Sequence, residues 1–120
     1  MKTLDRTVFT QNHLVGISDL SPDEISLILN IADDYAARMK EHKFKCDVLK
    51  GAIILTLFFE DSTRTRVSFE MAAKRLGADV VTMDVRTSSL NKGETFSDTI
   101  ITLNAMRPDL LVVRHGSSGA

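Results

Sequence analysis

A single cysteine, Cys46, in 120 residues rules out an internal disulfide and a zinc site built on thiolates, and it fits a reducing compartment. Excess charge of one sign is lacking too. The formal net charge is −1 with a pI near 6.3, which excludes a general attraction to nucleic acid or to an anionic membrane surface. No apolar run approaches the ~20 residues that a bilayer-crossing helix needs, and no signal peptide is expected. Internal repeats, low-complexity stretches and Gly/Ser/Pro-rich linkers are missing as well. What remains is the expectation of a soluble, intracellular, cytoplasmic protein. With 43% hydrophobic and 26% charged residues the chain can form one core, as one domain or part of one, and is not a disordered tail.

What is there begins with the near-continuous apolar run Ala52-Ile53-Ile54-Leu55-Thr56-Leu57-Phe58-Phe59, which leads straight into Glu60-Asp61-Ser62-Thr63-Arg64-Thr65-Arg66 and then an amphipathic helix. A helix N-terminus leaves its first N–H groups unpaired and carries about half a positive charge, so it suits phosphate. Ser62, Thr63 and Thr65 can cap the turn or donate to phosphate oxygens. Arg64 and Arg66 offer forked donors that match a phosphate or carboxylate, or they are solvent-facing charge. Cations at this end oppose the macrodipole by about 0.3–1 kcal/mol each when exposed. A bound anion would account for them.

Upstream, Ser21-Pro22-Asp23-Glu24 combines an N-cap Ser, Pro at the first helical position and Glu three residues on. Ile25, Ile28, Ala32, Tyr35 and Met39 then recur at helical spacing, which predicts a structural helix. Asn12 to Gly16 and Lys43 to Lys50 read as connections, with Gly51 opening the strand. After the junction, Phe69, Ala72, Ala73 and Leu76 form an apolar helix face, with Gly77 where a C-cap is expected. Ala78 to Val85 reads as a second strand, Arg86 to Gly93 as a polar loop and Glu94 to Met106 as a helix with Phe96, Ile100 and Leu103 at helical spacing. Pro108 bars that helix from continuing, and Asp109 to Arg114 is a third strand.

Strand, helix, strand, helix, strand with short connections predicts the start of a doubly wound α/β fold: a parallel sheet with a βαβαβ core, preceded by an N-terminal helix. Ligands of such sheets lie beyond the carboxyl ends of the strands. The first strand delivers Ser62 to Arg66 there. The second leads to Thr87-Ser88-Ser89-Leu90-Asn91-Lys92-Gly93-Glu94, and the third ends at Arg114-His115. Lys92 alone would read as a solvated charge, and His115 as a hydrogen-bonding structural residue. Arg114 is less ordinary, because its stem starts at the end of an apolar strand and its head must emerge at the ligand edge.

Phe58-Phe59-Glu60, Ser62-Thr63-Arg64-Thr65-Arg66, Val67-Ser68-Phe69-Glu70, Ala73 and Arg75-Leu76-Gly77-Ala78 resemble the carbamoyl phosphate signature of the aspartate and ornithine carbamoyltransferases. Ser89-Leu90-Asn91-Lys92-Gly93-Glu94-Thr95 with Asp98-Thr99, and Val113-Arg114-His115, resemble the aspartate branch. The resemblance runs from Leu14 to Ala120 and implies the amino-terminal part of a carbamoyl phosphate-binding domain, residues 1–120, with an aspartate-binding domain absent from this chain. It implies transfer of the carbamoyl group of carbamoyl phosphate to L-aspartate in pyrimidine biosynthesis, without metal or organic cofactor. The fragment alone is not expected to turn over substrate.

By the same resemblance, Ser62, Thr63, Arg64 and Thr65 hold the phosphate, and Thr65 and Arg114 reach the carbamoyl oxygen. Arg64, Thr65 and Arg114 are the catalytic set. Ser89, with Ser88 as its alternative, and Lys92 belong to a loop that enters the neighbouring subunit's site, so the resemblance implies a homotrimer. It leaves room for a regulatory or dihydroorotase partner. Glu60 resembles an acid that locks the two domains on closing, with partners outside this chain. Two other readings stay open: a carbamoyltransferase for ornithine or another amine, and a non-catalytic phosphate-binding or scaffold subunit.

Overall fold

The computed structural model of the chain describes residues 4–41, 44–84 and 96–116. It divides into two units, Met1–Phe44 and Lys45–Ala120. The first is built on α1, Pro22–Glu41, preceded by a 3-10 turn at Ile17–Asp19. The capping box read from Ser21 and Glu24 forms on both sides. Ser21 Oγ accepts from the Glu24 N–H at 3.1 Å, and Glu24 Oε1 accepts from the Ser21 N–H at 3.0 Å. Glu24 does more than the motif asks, because its Oε2 accepts from the Thr10 N–H at 3.2 Å and so ties the N-terminal segment to the helix start. It is the buried residue of α1, whereas the stripe is shallower than its periodicity implied: Ile25, Ile28 and Tyr35 are half-buried and Met39 is exposed.

The second unit holds β1 (Ile53–Phe58), α2 (Thr63–Arg75), β2 (Asp79–Asp84), α3 (Phe96–Ala105) and β3 (Leu110–Arg114). β1 begins and ends one residue inside the apolar run of residues 52–59, and β3 begins one residue after Asp109. The strands form one parallel sheet in the order β2-β1-β3. Because β1 lies in the middle with a helix on each face, its residues from Ile54 to Phe58 are all buried, which explains a run with almost no polar alternation. Ile54 packs with Ala73 of α2 and Ala78 on one face. Leu55 and Leu57 pack with Leu103 of α3 on the other. The two helices therefore cover opposite faces, the expected doubly wound arrangement.

Two details depart from the periodicity. On α2 the sheet is met by Ala73, while Phe69 is 46% exposed and Ala72 is also exposed; the buried face is narrower than the four-residue pattern drew. On α3 the buried positions include Thr99, which apolar counting passes over. Asp109 closes the sheet edge chemically. Its carboxylate accepts from the Ile53 N–H at 2.8 Å and its own N–H donates to the Ile53 carbonyl at 2.9 Å, extending the β1–β3 ladder by one step.

The turn from α2 to β2 is a Schellman motif, in which the Gly77 N–H donates to the Lys74 carbonyl and the Ala78 N–H to the Ala73 carbonyl. Gly77 sits at φ +89°, and a Cβ there would come within 2.9 Å of the Cys46 carbonyl oxygen. The segment carrying Cys46 is held against this turn by N–H donation from Cys46 to the Arg75 carbonyl and from Leu49 to the Leu76 carbonyl. α3 closes similarly on a left-handed residue, Arg107 at φ 57°, just ahead of Pro108.

Gly77→Ala is expected to destabilise the fold by about 1–3 kcal/mol, since it combines a left-handed backbone with a backbone clash. Urea unfolding of the two proteins measures it, and a loss below about 0.5 kcal/mol, ordinary for a surface change, would contradict the account. Hydrogen bonding from the Ser21 N–H, opposed by burial and aided by Thr10, holds the Glu24 carboxyl below its usual range. A carboxylate whose folded pKa is depressed contributes stability above its unfolded pKa of about 4.3 and loses it as pH falls through the folded value. Glu24→Gln should therefore be less stable than the parent at pH 7, with the gap narrowing toward pH 3. Thermal unfolding of both proteins across that range tests it.

Candidate functional site

The order β2-β1-β3 means that the chain leaves β1 to one side and returns on the other, so the strand order reverses between β1 and β3. Open α/β sheets bind ligands in the crevice at that switch, beyond the carboxyl ends of the strands. Two of the segments singled out from sequence meet there. β1 ends into the start of α2, and the register that pairs Phe58 with Arg114 sets the end of β3 directly beside it. A further bond from the Phe59 N–H to the Arg114 carbonyl, 2.9 Å, fixes the two strand ends together.

The start of α2 is chemically unusual among the three α-helices. α1 carries Asp23 and Glu24 in its first turn and α3 carries Asp98, but α2 has no acid there and has Arg64 and Arg66 instead. Ser62 occupies the N-cap position without making a side-chain cap bond. Its hydroxyl donates to Thr65 Oγ1 at 2.8 Å, so Ser62 and Thr65 cluster with each other. Ser62 thus does not cap the helix with its side chain. Arg64 is exposed and, among the described residues, has no ion pair or side-chain hydrogen bond. The positive end of the helix and two added cations coincide at one point.

Ser62, Thr63 and Arg66 line a shallow depression with Glu60 and Asp61, over Phe58 and Met83. Arg64, Thr65 and Arg114 are not in its lining. Glu60, whose partners were expected outside the chain, has one inside it: Arg114 Nε donates to Glu60 Oε1 at 2.8 Å. Both side chains are more than 40% exposed, and exposed ion pairs contribute about 0–1 kcal/mol, so an incoming anion can compete for Arg114. Ser88, Ser89 and Lys92 lie outside the described residues.

Sequence reasoning missed an aromatic cluster beside this site. His115 stacks with Phe59 and Phe96, at centroid separations of 4.9 and 5.0 Å, and the two phenylalanines meet at 5.0 Å. The three rings come from the ends of β1 and β3 and the start of α3. Nothing in the local sequence signals a contact between Phe59 and Phe96; the parallel topology creates it.

Comparison with known proteins gives a consistent picture. Residues 12–120 match the family described as aspartate/ornithine carbamoyltransferase, carbamoyl-P binding domain. The aspartate carbamoyltransferase catalytic subunit of Granulibacter bethesdensis is 57% identical over 112 residues, which cover 93% of this chain and 35% of that protein. That of Acidiphilium cryptum is 58% identical over 108 residues, 90% of this chain and 35% of the relative. Among solved structures, the catalytic subunit of M. jannaschii aspartate transcarbamoylase superposes with a TM-score of 0.80 at 41% identity, covering 92% of this chain and 36% of that one. The Trypanosoma cruzi aspartate transcarbamoylase in complex with carbamoyl phosphate and aspartate gives a TM-score of 0.75 at 39% identity, covering 85% and 31%. The chain thus spans about a third of the length of these curated relatives.

The geometry predicts that inorganic phosphate stabilises the full-length protein containing these residues. At a hundred times Kd the gain is about 2.7 kcal/mol, and Arg64→Ala should remove most of it. Thermal scans at rising phosphate measure both, and an equal gain in Arg64→Ala would place the anion elsewhere.

Proposed function

The chain belongs to the aspartate/ornithine carbamoyltransferase family, and on that premise we propose that it is the amino-terminal part of the carbamoyl phosphate-binding domain of an aspartate carbamoyltransferase. The reaction is transfer of the carbamoyl group to the amine of L-aspartate, giving N-carbamoyl-L-aspartate and phosphate. The observation that carries this reading is the α2 N-terminus: no acid, no side-chain cap, two arginines and three hydroxyl residues, at the switch point beside Arg114. The complexes of the Trypanosoma cruzi relative with carbamoyl phosphate and aspartate support the substrate pair. The names of the curated relatives favour aspartate over ornithine as acceptor.

Chemically, the phosphate of carbamoyl phosphate sits on the first-turn N–H groups with Ser62, Thr63, Arg64 and Thr65 around it. Attack by the amine on the carbamoyl carbon builds negative charge on the carbonyl oxygen, and loss of phosphate builds it on the leaving group. Thr65 and Arg114 serve the first charge, and Arg64 with the helix N-terminus serves the second. Arg114 must leave Glu60 to do so, and the exposure of that pair keeps the exchange inexpensive. Ser89 and Lys92 reach into the neighbouring subunit's site in a homotrimer, and the enzyme works in the cytoplasm.

In the full-length protein, with carbamoyl phosphate saturating, turnover is expected with aspartate and not with ornithine. Arg64→Ala and Arg114→Ala should each cost about 10²–10³ in rate. Mixing Lys92→Ala chains with Arg64→Ala chains should restore part of the activity, because one of the shared sites then carries neither change. Turnover with ornithine alone would overturn the choice of acceptor, and no recovery on mixing would overturn the shared site.

A further inference from the structure

A polar chain runs from the centre of the sheet to the first turn of α2, joining Glu70 and Arg66 to two threonines of the sheet. Thr56, in the middle of β1, is fully buried, with 0% of its surface exposed. Its hydroxyl donates to Thr82 Oγ1 at 2.9 Å, across the β1–β2 pair in which Thr56 and Thr82 are register partners. Thr82 in turn donates to Glu70 Oε1 at 2.6 Å. The same carboxylate oxygen lies 3.8 Å from Arg66 Nε, one helical turn back on α2. Arg66 lines the depression with Ser62 and Thr63.

The direction of each bond is set by chemistry. An ionised carboxylate only accepts, so Thr82 must donate to Glu70 and receive from Thr56. That leaves Glu70 Oε1 with one fixed donor from the sheet, which pins an otherwise mobile side chain. A pinned Glu70 holds the stem end of Arg66, and the closest approach is at Nε rather than at the terminal fork that grips an anion. An unpaired Arg66 in the first turn would be repelled by the helix dipole and would swing into solvent.

We propose that Thr82 is a positioning residue for the phosphate site, acting through Glu70 to hold Arg66 over the N-terminus of α2. The inference rests on the site reading given above and extends it to residues outside the signature's hydroxyl and arginine set. Thr56 is the fixed end of the relay, Thr82 the joint and Glu70 the contact, so the rigid sheet rather than the helix alone sets where the Arg66 charge stands. A hydroxyl on β2 at this height is a requirement of this relay, not of the sheet, because valine would fill the same space.

The test uses the full-length protein and inorganic phosphate as the probe, with calorimetric Kd values for the parent, Thr82→Val, Thr82→Ser, Glu70→Gln and Arg64→Ala. The restraint on Arg66 is a partly exposed ion pair one helical turn apart, so phosphate binding about twofold weaker is expected in Thr82→Val, with a similar loss in Glu70→Gln and recovery in Thr82→Ser. The KM for carbamoyl phosphate should rise more than kcat falls. A merely structural role for Thr82 would lower the melting temperature of Thr82→Val and leave Kd unchanged, and that result overturns the proposal. Glu70→Gln keeps it testable where Thr82→Val fails to fold: an unchanged Kd in Glu70→Gln overturns it equally. Binding that does not depend on Arg64 would instead remove the site reading itself, and this proposal with it.

Discussion

Everything at the functional end of this molecule depends on β1 lying between β2 and β3 in a parallel sheet. Its residues Ile54 to Phe58 are buried on both faces, so β1 cannot be moved to an edge without exposing apolar surface on one side or the other. Burying such a side chain contributes about 1.5–3 kcal/mol. Once β1 is central, its carboxyl end is the switch point, and the register that pairs Phe58 with Arg114 follows. The junction into α2 and the end of β3 become neighbours although 54 residues separate Glu60 from Arg114. The same pairing seats His115 against Phe59 and Phe96, so three elements meet in one apolar cluster beside the polar site.

The polar site is a local conflict held in place by that frame. Two arginines at the positive end of α2, a Ser62–Thr65 hydroxyl pair in place of a side-chain cap, and no acid in the first turn set this helix start apart from that of α1. A helix chosen only for stability would resemble α1, whose Ser21 and Glu24 satisfy each other's backbone groups. The difference between two helix starts in one chain is what the proposed phosphate site rests on: one is closed by its own capping box, and the other carries two cations and no side-chain cap. Glu60 and Arg114 repeat the theme, as an exposed pair weak enough to be exchanged for a substrate oxygen.

The periodicity of the sequence was enough for the elements and their order, because apolar spacing, the Ser21 and Gly77 caps and Pro108 all act within a few residues. It was less reliable for depth. Phe69 belongs to an apolar repeat and is exposed, while Thr56 and Thr99 are polar and buried. Periodicity measures which side of an element a residue is on, and the depth of burial depends on what packs there. Thr56 is tolerated in the core because Thr82 stands opposite it and accepts its hydrogen bond, a fact about register that neither residue announces.

By itself the sequence determined the α/β class, the parallel direction of the strands and the chemical character of the Ser62 to Arg66 junction, because these follow from local spacing and from the ionic groups placed at a helix start. Only the tertiary structure decided that Ser62 bonds to Thr65 rather than capping the backbone and that Glu60 pairs with Arg114. It also decided that Thr82 and Glu70 stand behind Arg66. Those contacts join residues on different elements or depend on one side-chain geometry among several allowed. Strand register and helix placement, which arise from burying the whole sheet at once, select among them.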